Sequence, residues 1–414
     1  MVTHKKIASA FVFLLVWLLT IIQDEAIFFV QKIKGLPISR FHRLMGQLLF
    51  LLIERKIYML GVSIYLAKEG IKKQEEWLKV AKENGFSSIF TSLHIPEDDP
   101  NTYKELIQIL GRQAQKYEME LMVDVSSKSL HHLGVSYENV EELVGWGITG
   151  LRMDYGIEPK QIAHISRKMK VALNASTITP SFWEELCKEN IRVDSVEAWH
   201  NFYPRPETGL AKSFLQKRNH YLHQCGMKTM AFIPGDGEKR GPLYEGLPTL
   251  EKHRYMRPLE AYLECVQECG VDKVSIGDIS GSLQSVQDIA CAEKGVIPIR
   301  YTPCINEKKI VERIERVHTN RFDPARDVIR SVESREENPV RLRAENTVER
   351  KCGSIIIDNE LYGRYAGELQ ITLQDLPEDE KVNVVGKVVK EDIPLLSYVK
   401  AGQKLKLIGV KKTP

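Results

Sequence analysis

The sequence has few cysteines and little net charge, and each shortage excludes a class of protein. Its seven cysteines in 414 residues are an odd number without a Cys-x-x-Cys pair, which argues against a disulfide framework or a zinc site and favours a reducing cytoplasm. The formal net charge is +3, and no run of lysine or arginine is interleaved with aromatic residues, so we expect no nucleic-acid binding. Hydrophobic residues at 43% and charged residues at 27% are typical of a folded globular protein.

The first 56 residues differ from the rest of the chain. Lys5 and Lys6 precede the apolar run IASAFVFLLVWLLTII at 7–22, which is shorter than the roughly 20 residues of a membrane-spanning helix. The following stretch, QDEAIFFVQ, is a poor site for signal-peptide cleavage. We therefore interpret residues 1–56 as an extension outside the fold, with a membrane anchor as the alternative, and expect a cytoplasmic protein.

Eight strand-helix units recur between residues 57 and 295. Apolar runs predict strands at 60–66, 87–93, 120–126, 150–156, 170–176, 193–199, 228–234 and 272–278. Helices are predicted near 72–85, 101–117, 136–144, 159–168, 180–189, 209–224, 249–269 and 282–293. This alternation predicts an α/β fold, a (β/α)8 TIM barrel, with a doubly wound open sheet as the alternative.

The pattern changes after residue 296. Strand-like runs at 296–303, 353–359, 367–373, 381–389 and 404–410 follow with little helix between them. Residues 296–414 are therefore predicted to form a linker and a small β-rich domain. We interpret the arginine-rich stretch from Arg313 to Asn346 as a solvated face or connecting loop rather than a substrate-facing segment.

Polar side chains lie at or after several predicted barrel strands, where the active site of a TIM barrel is found. The candidates are Asp124, Asp154, Glu197 and Asp278, with Asn174 ending the fifth strand and Glu97 following the second. Glycoside hydrolysis uses two carboxylates, one as general acid and the other as base, nucleophile or orienting group. We take Asp154 and Glu197 as the pair, and Asp124 and Asp278 as the next candidates.

The stretch SVEAWHNFYPRPETGL at 195–210 places aromatic and polar groups after the sixth strand. We expect Trp199 and Tyr203 to face a sugar ring, and His200 and Asn201 to hydrogen-bond its hydroxyls. A divalent metal site is the rival interpretation of this region. Its ligands would be Asp124, Asp154 and Glu197 with His94 or His200. No His-x-His or His-Glu-x-x-His spacing supports a metal, and we expect neither a metal nor another cofactor.

Two glycine-containing loops follow the seventh and eighth strands, at 234–248 and 277–282. TIM barrels often bind phosphate at these loops, with backbone N–H groups and a helix N-terminus facing the anion. Arg240 and Gly277 are the candidate residues there. The glycines match neither a Walker A loop nor the full dinucleotide motif, so a plain lid loop is an equal alternative.

Six stretches together resemble one bacterial family, long labelled outer surface protein or protein of unknown function. They are LGVSIYL, GLRMDYG, VEAWHNFYPRPETGL, RGPLYEGLPTLEKHR, KVSIGD and LYGRYAGELQI. The resemblance spans residues 58–412 and implies a TIM barrel followed by a cyclophilin-like β domain. Because the family includes 6-phospho-N-acetylmuramidases, it implies a cytoplasmic glycosidase of peptidoglycan recycling that splits N-acetylmuramic acid 6-phosphate from N-acetylglucosamine.

That resemblance implies a phosphorylated amino-sugar disaccharide as the partner. Its lactyl carboxylate would suit a bidentate contact with Arg205, and Arg364 in the β domain either reaches the substrate or packs the sheet. Two other functions stay open: a metal-dependent phosphosugar isomerase or aldolase, and a surface-anchored binding protein. The sequence leaves the oligomeric state undecided, including a homo-oligomer.

Overall fold

The computed structural model describes residues 58–67, 71–93, 100–153, 157–305, 307–336 and 342–411. The predicted extension at 1–56 lies outside these residues, as do Asp154, Glu97 and His94. Within the described ranges, no helix is both long and apolar enough to cross a membrane. The proposed boundaries between the three segments of the chain stay predictions.

Eight parallel strands form a closed barrel. Each strand pairs with its neighbour along the chain, and β1 also pairs with β8, which closes the sheet. The strands are β1 (Met59–Ser63), β2 (Ser88–Ser92), β3 (Glu120–Val125), β4 (Gly150–Met153), β5 (Lys170–Asn174), β6 (Val196–Trp199), β7 (Lys228–Ile233) and β8 (Lys273–Ile276). The TIM-barrel prediction is confirmed, and the open-sheet alternative is wrong.

Helices alternate with these strands. They are α1 (Ile71–Glu83), α2 (Pro100–Lys116), α3 (Ser127–His132), α4 (Glu141–Gly145), α5 (Pro159–Ser166), α6 (Pro180–Lys188), α7 (Lys212–Gln224), α8 (Pro258–Glu268) and α9 (Leu283–Glu293). Local side chains define several of the helix starts. Thr179 caps α6 and Ser282 caps α9, each accepting a backbone N–H from three residues further on.

Two helices differ from their predictions. The helix predicted near 136–144 is represented by the shorter α4, and a further short helix, α3, precedes it. They are separated by Gly134, whose φ of 75° cannot continue a helix. The helix predicted near 249–269 is divided, with a 3₁₀ segment at Glu251–Tyr255 and α8 beginning at Pro258. The residue before a proline is disfavoured in the helical region, and Arg257 is accordingly extended, with ψ of 146°.

An apolar layer fills the middle of the barrel. Its aromatic rings pack at steep angles, with the centroids of Phe90 and Phe232 5.1 Å apart and those of Phe90 and Trp199 5.9 Å apart. The layer consists of Phe90, Met122, Ala172, Trp199, Met230 and Phe232. The barrel is therefore packed across its width rather than open along its axis.

Charged side chains fill the barrel below this layer, at the amino-terminal ends of the strands. The ammonium of Lys273, which begins β8, lies 2.7 Å from a carboxylate oxygen of Glu120 and 2.7 Å from one of Glu197. Lys170, which begins β5, pairs with Glu120 at 2.5 Å. Burial acts to raise the pKa of Glu120, but the charges of the two lysines prevail and lower it to about 2. These four residues form a compensated charge cluster, called here the barrel floor.

A second, mixed sheet follows the barrel. Its strands are β9 (Val296–Pro303), β10 (Val317–Thr319), β11 (Val328–Arg330), β12 (Ser354–Asp358), β13 (Leu369–Thr372), β14 (Val382–Val388) and β15 (Lys404–Gly409). They lie in the order β10-β15-β9-β14-β12-β13-β11, and β9 pairs in parallel with β15. The prediction of a β-rich carboxy-terminal region is confirmed, while its likeness to cyclophilin stays a prediction.

The arginine-rich stretch belongs to this second sheet. It contributes β10 and β11, the helix α11 (Glu333–Glu336) and the end of α10 (Lys308–Ile314). Arg313 is buried and donates to the carbonyl oxygens of Ser334 and Gly367 at 2.8 and 3.2 Å. Arg330 pairs with Glu368 at 2.5 Å. The interpretation of this stretch as a solvated face or connecting loop is therefore wrong for these residues.

Buried ion pairs join the second sheet to the barrel helices. Asp392, which is fully buried in a 3₁₀ segment at Lys390–Tyr398, accepts from Arg257 Nη1 at 2.7 Å and from the backbone N–H of Arg300 at 2.6 Å. The Arg300 guanidinium also pairs with Asp288 of α9 at 2.5 Å. The second sheet is thus fixed to the barrel helices through the carboxylates of Asp288 and Asp392.

We expect Lys273→Met to destabilise the fold strongly, because it leaves Glu120 and Glu197 close together in the barrel with only the more exposed Lys170 to compensate their charges. Breaking a buried pair in this way typically costs about 3–5 kcal/mol. The measurement is the free energy of unfolding by denaturant. Lys79→Met, which removes an exposed i,i+4 pair with Glu83, is the control, with an expected change below about 1 kcal/mol. Equal effects of the two variants would contradict the role of the barrel floor.

Candidate active site

An ion pair with an attached amide lies at the carboxyl ends of the barrel strands. Arg152 of β4 is 5% exposed, and its Nη1 donates to Asp124 Oδ1 at 2.6 Å. Its Nη2 donates to the side-chain oxygen of Asn201. Ser92 Oγ lies 3.4 Å from the other Asp124 oxygen. The residues Ser92, Asp124, Arg152 and Asn201 are called here the mouth cluster, and they include the predicted residues Asp124 and Asn201.

Two further predicted residues lie close to the mouth cluster. Asn174 ends β5, is 8% exposed, and accepts the backbone N–H of Ser176 at 3.0 Å. Tyr203 is half-buried, and its backbone N–H donates to Pro248 at 3.0 Å. Burial raises the pKa of the Tyr203 phenol, although the charge of Arg152 acts in the opposite direction. Tyr203 therefore keeps its proton and offers a hydrogen-bonding hydroxyl on the loop after β6, two residues from Asn201.

Arg240 is held against an aromatic ring. Its guanidinium carbon lies 4.0 Å from the centroid of the Tyr65 ring, which is cation–π geometry. The Tyr65 hydroxyl donates to the carbonyl oxygen of Gly277 at 2.6 Å, and burial raises its pKa to about 12. A Cβ at Gly277 would clash with the Leu247 carbonyl. The loops after β7 and β8 thus meet beside a half-buried arginine.

The carboxylate of Asp278 organises the loop after β7. It is fully buried and accepts the backbone N–H groups of Gly235 at 2.9 Å, Leu247 at 3.3 Å and Arg240 at 3.4 Å. Burial raises its pKa, while these backbone donors act to lower it. The structure therefore places this candidate where it holds the loop, and its catalytic role stays a prediction.

Three predictions for the 195–210 stretch are wrong in their placement. Glu197 lies in the barrel floor, where it pairs with Lys273 and accepts from Trp199 Nε1 at 2.7 Å. Trp199 is 1% exposed within the apolar layer, so its faces are covered by other rings. His200 is fully buried and bonds Asn219 of α7 at 2.7 Å. Neighbouring residues of a strand point to opposite faces, so His200 points away from the barrel axis.

The metal interpretation loses two of its proposed ligands, because neither Glu197 nor His200 faces the barrel mouth. Glu197 is at the opposite end of the barrel from Asp124, and His200 points towards α7. Asp154 and His94 lie outside the described residues. In the part of the chain that the structure describes, no three His, Cys, Asp or Glu side chains are grouped to hold a metal ion.

The helix N-terminus predicted to meet a phosphate already carries an anion. Asp236 accepts the backbone N–H of Ser282 at 2.7 Å, and it also accepts the hydroxyls of Ser282 and Ser285 at 2.8 and 2.7 Å. These groups form the first turn of α9. A negative side chain thus occupies the positive end of the helix, which leaves Arg240 as the better placed of the two predicted phosphate contacts.

Arg205 and Arg364 are the two remaining predicted contacts. Arg205 is exposed on the loop after β6. Arg364 is exposed in a 3₁₀ segment at Glu360–Tyr365, where its guanidinium carbon lies 4.8 Å from the centroid of the Tyr365 ring and its Nη2 donates to the Tyr365 hydroxyl. Arg364 and Tyr365 therefore stack on each other, and substrate contact by Arg364 stays a prediction.

The sequence interpretation missed Arg152 and Tyr65. Arginine is almost never fully buried without a partner, so an arginine in the apolar run GLRM was a usable signal for an ion pair inside the barrel. Nothing in the sequence marks Tyr65, because its role depends on Arg240 and Gly277, which are far along the chain.

We expect His200 to make stability fall in mild acid. Burial lowers its pKa from 6.5 to about 4, so the unfolded chain binds the proton first as the pH falls. The free energy of unfolding should decrease between pH 6.5 and 4, by up to about 3 kcal/mol. Measured against pH, His200→Gln should remove this component, and His220→Gln on the exposed face of α7 should retain it. An unchanged pH profile in His200→Gln would contradict the assignment.

The chain is similar to a known protein family and to solved structures. Family models match in two parts, the 6-phospho-N-acetylmuramidase N-terminal model over residues 60–291 and the C-terminal model over 298–408. A conserved Enterococcus faecalis protein of unknown function is 41% identical, with a TM-score of 0.76, over 85% of this chain and 96% of that one.

An uncharacterized B. cereus protein is 26% identical, with a TM-score of 0.70, over 85% of this chain and 99% of that one. No curated protein matches the sequence. The two family models lie on the barrel and on the second sheet respectively, and together they match most of the described residues. On this basis the chain belongs to the 6-phospho-N-acetylmuramidase family.

Proposed function

We propose that the protein is a glycoside hydrolase that releases N-acetylmuramic acid 6-phosphate from N-acetylglucosamine in peptidoglycan recycling. The observation that carries this proposal is the mouth cluster, in which a carboxylate, a guanidinium and an amide are joined at the catalytic end of the barrel. The family name gives the reaction class, and the cluster supplies chemistry suited to it.

Asp124 is the described carboxylate best suited to the reaction. Its contact with the Arg152 guanidinium at 2.6 Å favours the ionised form, which suits a base or a group that orients the substrate acetamido nitrogen. A general acid must be a second carboxyl group. We propose Asp154 for that role on the sequence alone, since it follows the strand that carries Arg152. Glu197 has no part in this proposal.

The substrate's two anionic groups require cationic partners. We assign the 6-phosphate to Arg240, whose guanidinium is held by the face of Tyr65. Among the described residues Arg240 forms no ion pair with a carboxylate, so its charge is left for a ligand. The lactyl carboxylate is assigned to Arg205 on the neighbouring loop, where bidentate pairing suits an exposed arginine.

The proposal includes a cytoplasmic location. All seven cysteines are free thiols, which suits a reducing compartment. Fractionation of cells that express the full chain tests this part, and recovery of the protein in the membrane fraction would favour the anchor alternative for residues 7–22.

The decisive experiment incubates the full chain with the N-acetylmuramyl-N-acetylglucosamine disaccharide, with and without its 6-phosphate. Released sugars are detected by mass spectrometry. We expect cleavage of the phosphorylated form alone. Protein that is folded by circular dichroism but cleaves neither form would contradict the proposed function.

Asp124→Asn should lower kcat by at least about a hundredfold, the low end for losing acid-base catalysis. The side chain keeps its size, and its amide oxygen can still accept from Arg152. Asp194→Asn, at an exposed carboxylate before β6, is the matched control and should leave kcat unchanged. Near-native kcat in Asp124→Asn would remove Asp124 from the reaction.

Arg240→Ala should weaken binding of phosphorylated sugars selectively, because the variant removes the cation assigned to the phosphate. We expect the inhibition constant of N-acetylmuramic acid 6-phosphate to rise at least about tenfold, or 1.4 kcal/mol. The constant for N-acetylmuramic acid should not change. Arg112→Ala, on the exposed face of α2, is the control, and equal weakening of both sugars would contradict the phosphate contact.

A further inference from the structure

Arg254 is a buried arginine that contacts two loops at the barrel mouth, the one after β6 and the one after β7. It lies in the 3₁₀ segment at Glu251–Tyr255, and its side chain is fully buried. Its Nε and Nη2 each donate to Glu251 at 2.7 Å in a bidentate pair. The guanidinium still has donors left after this pairing, because an arginine carries five N–H groups.

Those remaining donors bind backbone carbonyls. Nη2 lies 3.0 and 3.2 Å from two carbonyl oxygens of the loop after β6, and Nη1 lies 3.2 to 3.4 Å from three others. The carbonyls belong to Tyr203, Pro204, Arg205, Glu245 and Gly246. One planar group thus ties the loop after β6 to the loop after β7.

Glu251 also binds the loop after β6, by accepting two of that loop's backbone N–H groups. Its carboxylate accepts from the backbone of Glu207 at 2.9 Å and of Gly209 at 2.8 Å. The bond to Arg254 is the largest cause that lowers the pKa of Glu251 to about 2. Glu207 has φ of 72°, in the left-handed region. Such a conformation persists only where surrounding contacts determine it, and the bond to Glu251 is one of them.

We propose that Arg254, together with Glu251, is a positioning residue for the reaction at the barrel mouth. It acts through Tyr203, whose carbonyl oxygen it binds and which lies two residues after Asn201, the loop residue that accepts from Arg152 in the mouth cluster. Without the guanidinium, five carbonyl oxygens from two loops would lose a shared donor. A shift of about 1 Å in a residue that contacts substrate is enough to lower a rate by about a hundredfold. The kinetic part of this inference rests on the proposed function.

The first test measures hydrogen exchange by mass spectrometry in the full chain and needs no substrate. Arg254→Lys keeps a positive charge for Glu251 but loses the planar set of donors. Amides in 203–210 and 241–250 should exchange at least about tenfold faster, while the barrel strands should not change. Arg313→Lys is the matched control, because Arg313 also donates from a buried site to two carbonyls, but in the second sheet.

Unchanged exchange in both loops, or equal acceleration throughout the chain, would overturn the inference. Glu251→Gln is the second variant if Arg254→Lys does not fold. It keeps one acceptor oxygen and should accelerate exchange of the Glu207 and Gly209 amides, which donate to Glu251.

The second test is kinetic and uses the disaccharide assay at a temperature where each variant is folded. Arg254→Lys should lower kcat/KM at least about tenfold, whereas Arg313→Lys should leave it unchanged. Tyr203→Phe completes a double-mutant cycle. Because Arg254 acts through Tyr203, the combined loss should be smaller than the product of the single losses.

Multiplicative losses, or a native kcat/KM in Arg254→Lys, would overturn the positioning role. Failure of the native chain to cleave the disaccharide would instead count against the proposed function, and the exchange experiment would still decide whether Arg254 fixes the loops.

Discussion

Lys273 lies between two glutamates inside a closed sheet, and the other layers of the barrel are built above this contact. A charge in that position is tolerable only with partners at hydrogen-bond distance, and Glu120 and Glu197 supply them at 2.7 Å. Glu197 also accepts from the Trp199 indole, so the barrel floor holds the largest ring of the apolar layer. Arg152 and Asp124 lie at the upper ends of their strands, beyond this layer.

The barrel therefore contains two ion-pair clusters separated by aromatic rings. In the floor, each charge has a partner on another strand of the barrel, and little of Lys273, Glu120 or Glu197 is accessible. In the mouth cluster, the ion pair is joined to an amide on the loop after β6. That connection makes the mouth cluster sensitive to loop position, whereas the floor depends on the strands alone. Similar residue types thus serve stability at one end and, by our proposal, chemistry at the other.

The sequence predicted the fold well, because the hydrophobic period and the length of each apolar run identify strands and helices without knowledge of their tertiary contacts. It predicted the site less well, since two properties of a barrel are absent from the pattern. The first is height: Glu197 and Trp199 share the inner face of β6, but contacts with Lys273 at the start of β8 and with the aromatic layer place them below the mouth. The second is partnership across long separations, which hid the contact between Arg152 and Asp124, 28 residues apart. Asn201 does lie at the mouth, because it follows the strand and continues its inner face, while its contact with substrate stays a prediction.

The barrel and the second sheet are joined by a short connection with buried ion pairs, which limits how the site can exclude water. Helix α9 ends at Glu293 and β9 begins at Val296, so two residues join the barrel to the second sheet. Asp392 further bonds Arg257, next to α8, and Arg300 on β9. Enzymes that close by domain rotation bend at a hinge of a few residues, and here the buried ion pairs across the junction oppose such a rotation. Shielding of a bound sugar would then have to come from rearrangement of the surface segments around the barrel opening, a lid-type rather than a jaw-type closure.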